Sequence, residues 1–233
     1  MAQATQVSSR IEGVVTKDGV RNFGSNGHGF TVVPYSGTEK PKAEGEKGDA
    51  RPAVFMDTTF FGDLPSGVAP GARVAVSGYV FKSMFTRKDG SSGEAVNVKA
   101  FQVEVLDPNT QTNVTLVGRV GRDGAKPLGS GKVFTLMPYG GKDKDGKFLP
   151  SVYVEVKLFG IDVEVAAGAN VKVVGTLSRR DFSRKDGSTG VGYELFAKSA
   201  EVFEASRSAP AAAASMGDGD SGSTLGYEEN PVF

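Results

Sequence analysis

Apolar and polar residues alternate with a period of two along most of the chain. In PSVYVEVKLFG (150–160), Val152, Val154, Val156 and Leu158 fall on one side and Tyr153, Glu155, Lys157 and Phe159 on the other, as in a strand with one face in a core. GARVAVSGYV (71–80) and GANVKVVGTL (168–177) behave alike. Val74, Val76, Gly78 and Val80 share a face, and so do Val171, Val173, Gly175 and Leu177. No window ahead of residue 206 repeats apolar residues at i, i+3, i+4 and i+7. Breaks rich in Gly, Asp and Lys separate the runs, so the chain is expected to be all-β.

The runs occur twice, in the same order. FTRKDGSSG (85–93) returns as FSRKDGSTG (182–190), IEGVVTKDG (11–19) as LVGRVGRDG (116–124), GFTVVPY (29–35) as VFTLMPY (133–139), and PAVFMDTTFFG (52–62) as PSVYVEVKLFG. Length differences are confined to loops such as 36–51 against 140–149. A repeat this long is a domain with its own core rather than a solenoid unit. The expected organisation is one domain over 8–108, a second over 113–205, and a tail over 206–233. Each copy reads as five strands, which suits a five-stranded barrel; a β-sandwich, which needs about seven, is the alternative. Asp89-Gly90 and Asp186-Gly187 supply the positive-φ turn of a hairpin between the last two strands of each copy.

Composition narrows the chemistry. The chain has no Cys and a single His, His28, which removes thiol nucleophiles, disulfides, Cys-based zinc sites and Ser-His pairs. GSNGHG (24–29) and LGSGK (128–132) lack the spacing and the strand-to-helix context of a phosphate loop. They read as hairpin turns between the first two strands, with Lys132 a phosphate candidate and His28 a loop residue of no special role. No enzyme activity, metal or cofactor is expected. MAQATQVSSR at the N-terminus has no apolar signal core, and no run approaches the roughly 18 apolar residues of a membrane helix. A cytoplasmic protein without a membrane partner is expected. Net charge is +0 but unevenly placed: 14 Lys and Arg stand against 11 Asp and Glu in 113–205, and one Arg against four acidic residues in the tail. With few large apolar residues before its end, the tail is expected to be disordered.

GARVAVSGYVFKSMFTRKDGSSGEAVNVKAFQVEVL (71–106) resembles the C-terminal half of the bacterial-type single-stranded DNA-binding protein (SSB) domain. YVEVKLFG (153–160) resembles that family's aromatic strand ending in Leu-Phe-Gly, and GYEENPVF (226–233) resembles its acidic tip finishing in Pro-x-Phe. The likeness touches both copies and the terminus, and is to the form with two domains per chain. The chain departs from it in having no Trp, only two acidic residues at the tip, and Val232 where Ile is usual. Those departures suit a divergent member encoded by a phage or plasmid. The resemblance implies two tandem OB-fold barrels that bind single-stranded DNA without sequence preference in replication, recombination or repair. It also implies a homodimer with four OB folds, associated with the nucleoid in the cytoplasm. By the same resemblance Glu228, Glu229, Pro231, Val232 and Phe233 would dock on replication and repair enzymes, with Phe233 as the anchor.

Unpaired bases offer π-faces and a line of phosphates, so a sequence-tolerant site needs flat rings on an open surface beside cations. Strand parity puts Phe55, Phe61, Tyr153 and Phe159 on the polar side of equivalent strands. Phe85 and Phe182 belong to the hairpin between the last two strands, with Lys82, Arg87, Lys88, Arg179, Arg180, Arg184 and Lys185 beside them as phosphate contacts. Tyr35 and Tyr139 end the FTVVPY and FTLMPY strands and are further stacking candidates. The exposed apolar residues Tyr79, Phe81 and Val174 add support for the homodimer. Two other functions stay open. One is a tandem β-domain structural or interaction protein, virion-associated for example, that binds no nucleic acid; the other is an enzyme-associated OB module for RNA or sugar.

Overall fold

The computed structural model describes residues 8–39, 48–86, 90, 92–183 and 189–204. Every regular element among them is a strand: β1 (Ser9–Val15), β2 (Arg21–Phe23), β3 (Gly27–Pro34), β4 (Met56–Phe61), β5 (Arg73–Thr86), β6 (Ser92–Val105), β7 (Val114–Val120), β8 (Lys126–Leu128), β9 (Gly131–Pro138), β10 (Val154–Leu158), β11 (Asn170–Ser183) and β12 (Thr189–Phe203).

In the first copy β1 pairs with both β3 and β5, β3 with β4, β4 in parallel with β6, and β6 with β5. The circuit β1-β3-β4-β6-β5-β1 is closed. The second copy repeats it as β7-β9-β10-β12-β11-β7, again with one parallel pair. Each is a five-stranded Greek-key barrel with OB-fold connectivity, so the sandwich alternative falls. Two short strands were not anticipated. β2 and β8 hydrogen-bond to β3 and β9 through the Gly-rich turns, whose Gly24 and Gly129 have φ of 63° and 56°. His28 accordingly sits in β3, not in a loop, and its ring nitrogens meet Asn22 Oδ1 at 2.8 Å and Gly62 O at 3.1 Å.

The residues that parity assigned to the core are there. Val74, Val76, Val152, Val154, Val156, Leu158, Val171 and Val173 are buried, with Ile11, Phe30, Met56, Leu116, Leu136 and Leu195 filling the two interiors. Closure needs a close approach at Gly13, where an added Cβ would lie 2.6 Å from Val33 O. A β-bulge at Ser77/Gly78 recurs at Val174/Gly175, bending both long hairpins at the same place.

The two barrels are joined edge to edge. β1 pairs antiparallel with β7, Arg10 opposite Thr115 and Ile11 opposite Val114, so that all twelve strands form one sheet. Arg10 and Thr115 are the same position in the two copies, and their mutual pairing marks a local twofold axis inside one chain. Contacts away from β1 obey the same symmetry. Lys82 N donates to Pro150 O at 2.9 Å, and its counterpart Arg179 N donates to Pro52 O at 3.0 Å. Each barrel therefore sends residues ahead of its third core strand across the long hairpin of the other; we term these residues, 36–39 with 48–55 in one copy and 140–153 in the other, the arms. The 140–153 arm covers residues that looked exposed in sequence. Tyr79 lies over Gly141 and against Phe101 at 5.9 Å, and Phe81 packs beside Gly140. Both are half-buried within one chain, as is Val174.

Candidate nucleic-acid interface

Each barrel presents one outer sheet face built to the same plan. In barrel 1, Phe55, Asp57, Thr59 and Phe61 alternate outward along and just ahead of β4; in barrel 2, Tyr153, Glu155, Lys157 and Phe159 do so along β10. The rings are open to solvent: 61% and 59% for Phe55 and Phe61, 60% and 49% for Tyr153 and Phe159. Six residues of extended chain set the two rings of a barrel about 20 Å apart, a span of several nucleotides.

Four rings rest on glycines of a paired strand. An added Cβ would stand 2.5 Å from the Phe85 ring at Gly93, 2.5 Å from Phe182 at Gly190, 2.7 Å from Phe159 at Gly131 and 2.5 Å from Phe23 at Gly27. Phe85 and Gly93 are direct cross-strand partners, as are Phe182 and Gly190. A ring seated this way is held flat against the backbone on one side and remains exposed on the other. Phe23, unforeseen in the sequence, also meets Phe61 edge-on at 5.6 Å; the only hint was an apolar residue directly ahead of a Gly turn. Tyr35 is exposed. Tyr139 is half-buried: its hydroxyl donates to Asn170 Oδ1 of the same barrel at 2.6 Å, its carbonyl accepts from Val80 N of barrel 1 at 3.1 Å, and burial pushes its phenol above the usual range.

The cations are less free than their sequence neighbourhood suggested. Lys82 pairs with Glu94 at 3.2 Å and Arg179 with Asp181 at 2.7 Å. Lys132 donates to Val163 O at 3.1 Å and lies 3.7 Å from Asp162. Arg180 and Lys157 both reach Glu194 Oε1, at 2.9 and 3.1 Å, with Glu155 at 4.0 and 3.5 Å. Glu194 is buried and takes these cations at ion-pair distance without a well-aligned hydrogen bond. Barrel 1 has a milder counterpart: Thr31 Oγ1 donates to Asp57 at 2.7 Å, and Asn97 Nδ2 donates to Ser83 Oγ at 2.8 Å. Arg87, Lys88, Arg184 and Lys185, and the tip residues Glu228, Glu229, Pro231, Val232 and Phe233 with the rest of the tail, lie outside the described residues.

Sequence reading also missed Phe196, Lys99 and Arg51. Phe196 and Lys99 are equivalent positions on the outer faces, next to Lys157 and Thr59 in the parallel pairings. Among the described residues no group of three or more acidic or His side chains gathers to hold a metal ion.

No family model matches the chain, and no curated protein matches it. Among solved structures it is similar to the wild-type single-stranded DNA binding protein from Thermus aquaticus, at 12% identity and a TM-score of 0.46, covering 87% of this chain and 95% of that one. A deletion mutant of the same protein gives 13% identity and a TM-score of 0.44, over 88% of this chain and 97% of that one.

Proposed function

We propose that the chain is a non-enzymatic, sequence-tolerant binder of single-stranded DNA, whose bases stack on the outward rings of both barrels while phosphates run past the hairpin cations. One observation carries this reading: equivalent positions of the two copies hold large, solvent-open aromatics, Phe55 with Tyr153 and Phe61 with Phe159. Random exposure of apolar residues does not repeat at matched positions, and a structural core has no use for them. Glycine seats under Phe85, Phe159 and Phe182 add preformed platforms, and preformed rings bind with less ordering cost.

The same reading places the protein in replication, recombination or repair in the cytoplasm, with the Pro-x-Phe tip recruiting partner enzymes and two chains bringing four barrels together. Its test is anisotropy of labelled oligo-dT at fixed salt, comparing wild type with Phe55→Ala/Tyr153→Ala. Base stacking on aromatics of OB folds, those of single-stranded DNA-binding proteins among them, is worth about 1–3 kcal/mol per base. The double variant is expected to lose at least tenfold in affinity while melting as wild type does. Unchanged affinity would remove the stacking assignment. Equal binding of duplex and single strand would favour a structural or interaction protein instead.

A further inference from the structure

We propose that Arg51, carried by the arm of barrel 1, is a nucleic-acid contact of barrel 2, so that the second binding face is built from both barrels. This rests on the single-stranded DNA reading and names a residue that completes it.

The guanidinium carbon of Arg51 lies 3.5 Å from the centroid of the Phe196 ring, face-on over barrel 2. Phe196 stands beside Lys157 on the outer sheet face, in the row next to the one that holds Glu155 and Glu194. Lys157 Nζ approaches the same ring at 5.1 Å. Arg51 is fixed from behind by its backbone. Its N–H donates to Gly37 O at 3.0 Å, and the buried Ser36 hydroxyl donates to its carbonyl at 2.7 Å. One residue further on, Pro52 O accepts from Arg179 N of the other barrel. The backbone of Arg51 is thus held within its own arm and, one residue on, tied to barrel 2, which presets the side chain it delivers.

Charge separates Arg51 from its neighbours. Lys157, Arg179 and Arg180 each spend their charge on a carboxylate. Among the described residues Arg51 has no acidic partner, and its fork of five N–H donors lies over a ring that does not neutralise it. A planar guanidinium seated on an aromatic can stack on a base with its open side and meet phosphate with its edge. The arrangement is one-sided. In barrel 1 the position of Phe196 is Lys99, and the position of Arg51 on the opposite arm is Leu149, so the Arg–Phe pair is not repeated there; that arm instead brings Lys142, whose carbonyl accepts from Lys99 Nζ at 3.3 Å and whose own Nζ lies 4.9 Å from the exposed Phe148 ring.

The experiment is oligo-dT binding across a salt series for wild type, Arg51→Ala and Arg51→Lys, with melting temperatures measured alongside. Loss of one phosphate contact to single-stranded DNA lowers the slope of log K against log salt by about 0.7. Arg51→Ala is expected to weaken binding several-fold and to show that drop, while Arg51→Lys keeps the slope and loses part of the affinity. In double-mutant cycles Arg51→Ala should couple with Tyr153→Ala on barrel 2 and add independently to Phe61→Ala on barrel 1. If Arg51→Ala lowers the melting temperature but leaves affinity and slope unchanged, Arg51 is only a latch between barrels and the proposal falls. Coupling to Phe61 in place of Tyr153 overturns it equally. Failure of the wild type to bind oligo-dT would be a different result, removing the single-stranded DNA reading itself.

Discussion

Gly93→Ala and Gly190→Ala isolate ring placement from ring identity. At Gly93 the new methyl would stand 2.5 Å from Phe85 Cζ and 2.8 Å from each Cε; at Gly190 the Phe182 ring is met at 2.5, 2.8 and 3.0 Å. Carbon atoms are comfortable at about 3.5–4.0 Å, so each ring must withdraw by about 1 Å. Neither glycine has a positive φ, and Ala in place of Gly in a strand favours folding by about 0.5–1 kcal/mol. Against that stands the dispersion forfeited along one face of a half-exposed ring, about 1 kcal/mol at 0.1–0.2 per atom pair. The two nearly cancel. Melting temperature is expected to move by no more than about 4 °C, the shift that 1 kcal/mol gives a chain this long. Oligo-dT affinity, read by anisotropy, is expected to fall toward that of Phe85→Ala/Phe182→Ala, whose loss is about 1–3 kcal/mol per stacked base. If both double variants bind as wild type does, the hairpin rings do not stack. If only the phenylalanine variant is weakened, the glycine seat is irrelevant to how the ring is used.

Glu194→Gln releases Arg180 and Lys157 from the carboxylate they share at 2.9 and 3.1 Å. Binding is expected to tighten at low salt and the salt slope to steepen by up to about 0.7 per freed cation; a salt series showing no change would mean those cations do not face the strand. Installing Leu149→Arg with Lys99→Phe rebuilds the Arg51–Phe196 pair on barrel 1, and is expected to hold affinity despite the lost lysine, whereas Lys99→Phe alone weakens binding in the same titration. Tyr193 is pushed above its ordinary value of 10.0, chiefly by burial and further by Glu94. Its contribution is complete below the unfolded value and is lost as pH rises through the folded one. Denaturant titrations at pH 8 and 11 should therefore show a smaller alkaline loss in Tyr193→Phe than in wild type; equal losses would count against a buried phenol at that position.

Parity in the sequence was enough to place the core and the outward rings, because each depends only on which side of its own strand a residue falls. What covers an outward residue is set by distant parts of the chain, and there the pattern is silent. Thr176 and Ser178 are outward by parity and polar, yet both are buried. The reason is the arm of barrel 1: Gly37 lies against Thr176, and Pro52 O is bound by Arg179 N next to Ser178. Tyr79 and Phe81 are covered for the same reason on the opposite barrel. Ion pairing was equally out of reach, since Arg180 and Glu194 come together through strand register, fourteen positions apart in sequence, and not through any local motif.

The internal twofold also explains why the two faces can differ. In a dimer of identical chains every substitution appears on both sides of the axis, so an arm that gained Arg would deliver it twice, and a face that gained Phe would show it twice. Covalent duplication lifts that constraint. Barrel 1 keeps Asn97 and Lys99 where barrel 2 has Glu194 and Phe196, and arm 1 carries Arg51 where arm 2 carries Leu149. The backbone contacts that need the symmetry, Lys82 to Pro150 and Arg179 to Pro52, are retained on both sides. The side chains that would touch a ligand have diverged between the copies. Geometry is held by the repeated backbone, while the outer side chains make two unlike faces, one centred on a hydrogen-bonded Thr31–Asp57 pair and one on an ion-paired Glu194 with a cation from the neighbouring arm over Phe196.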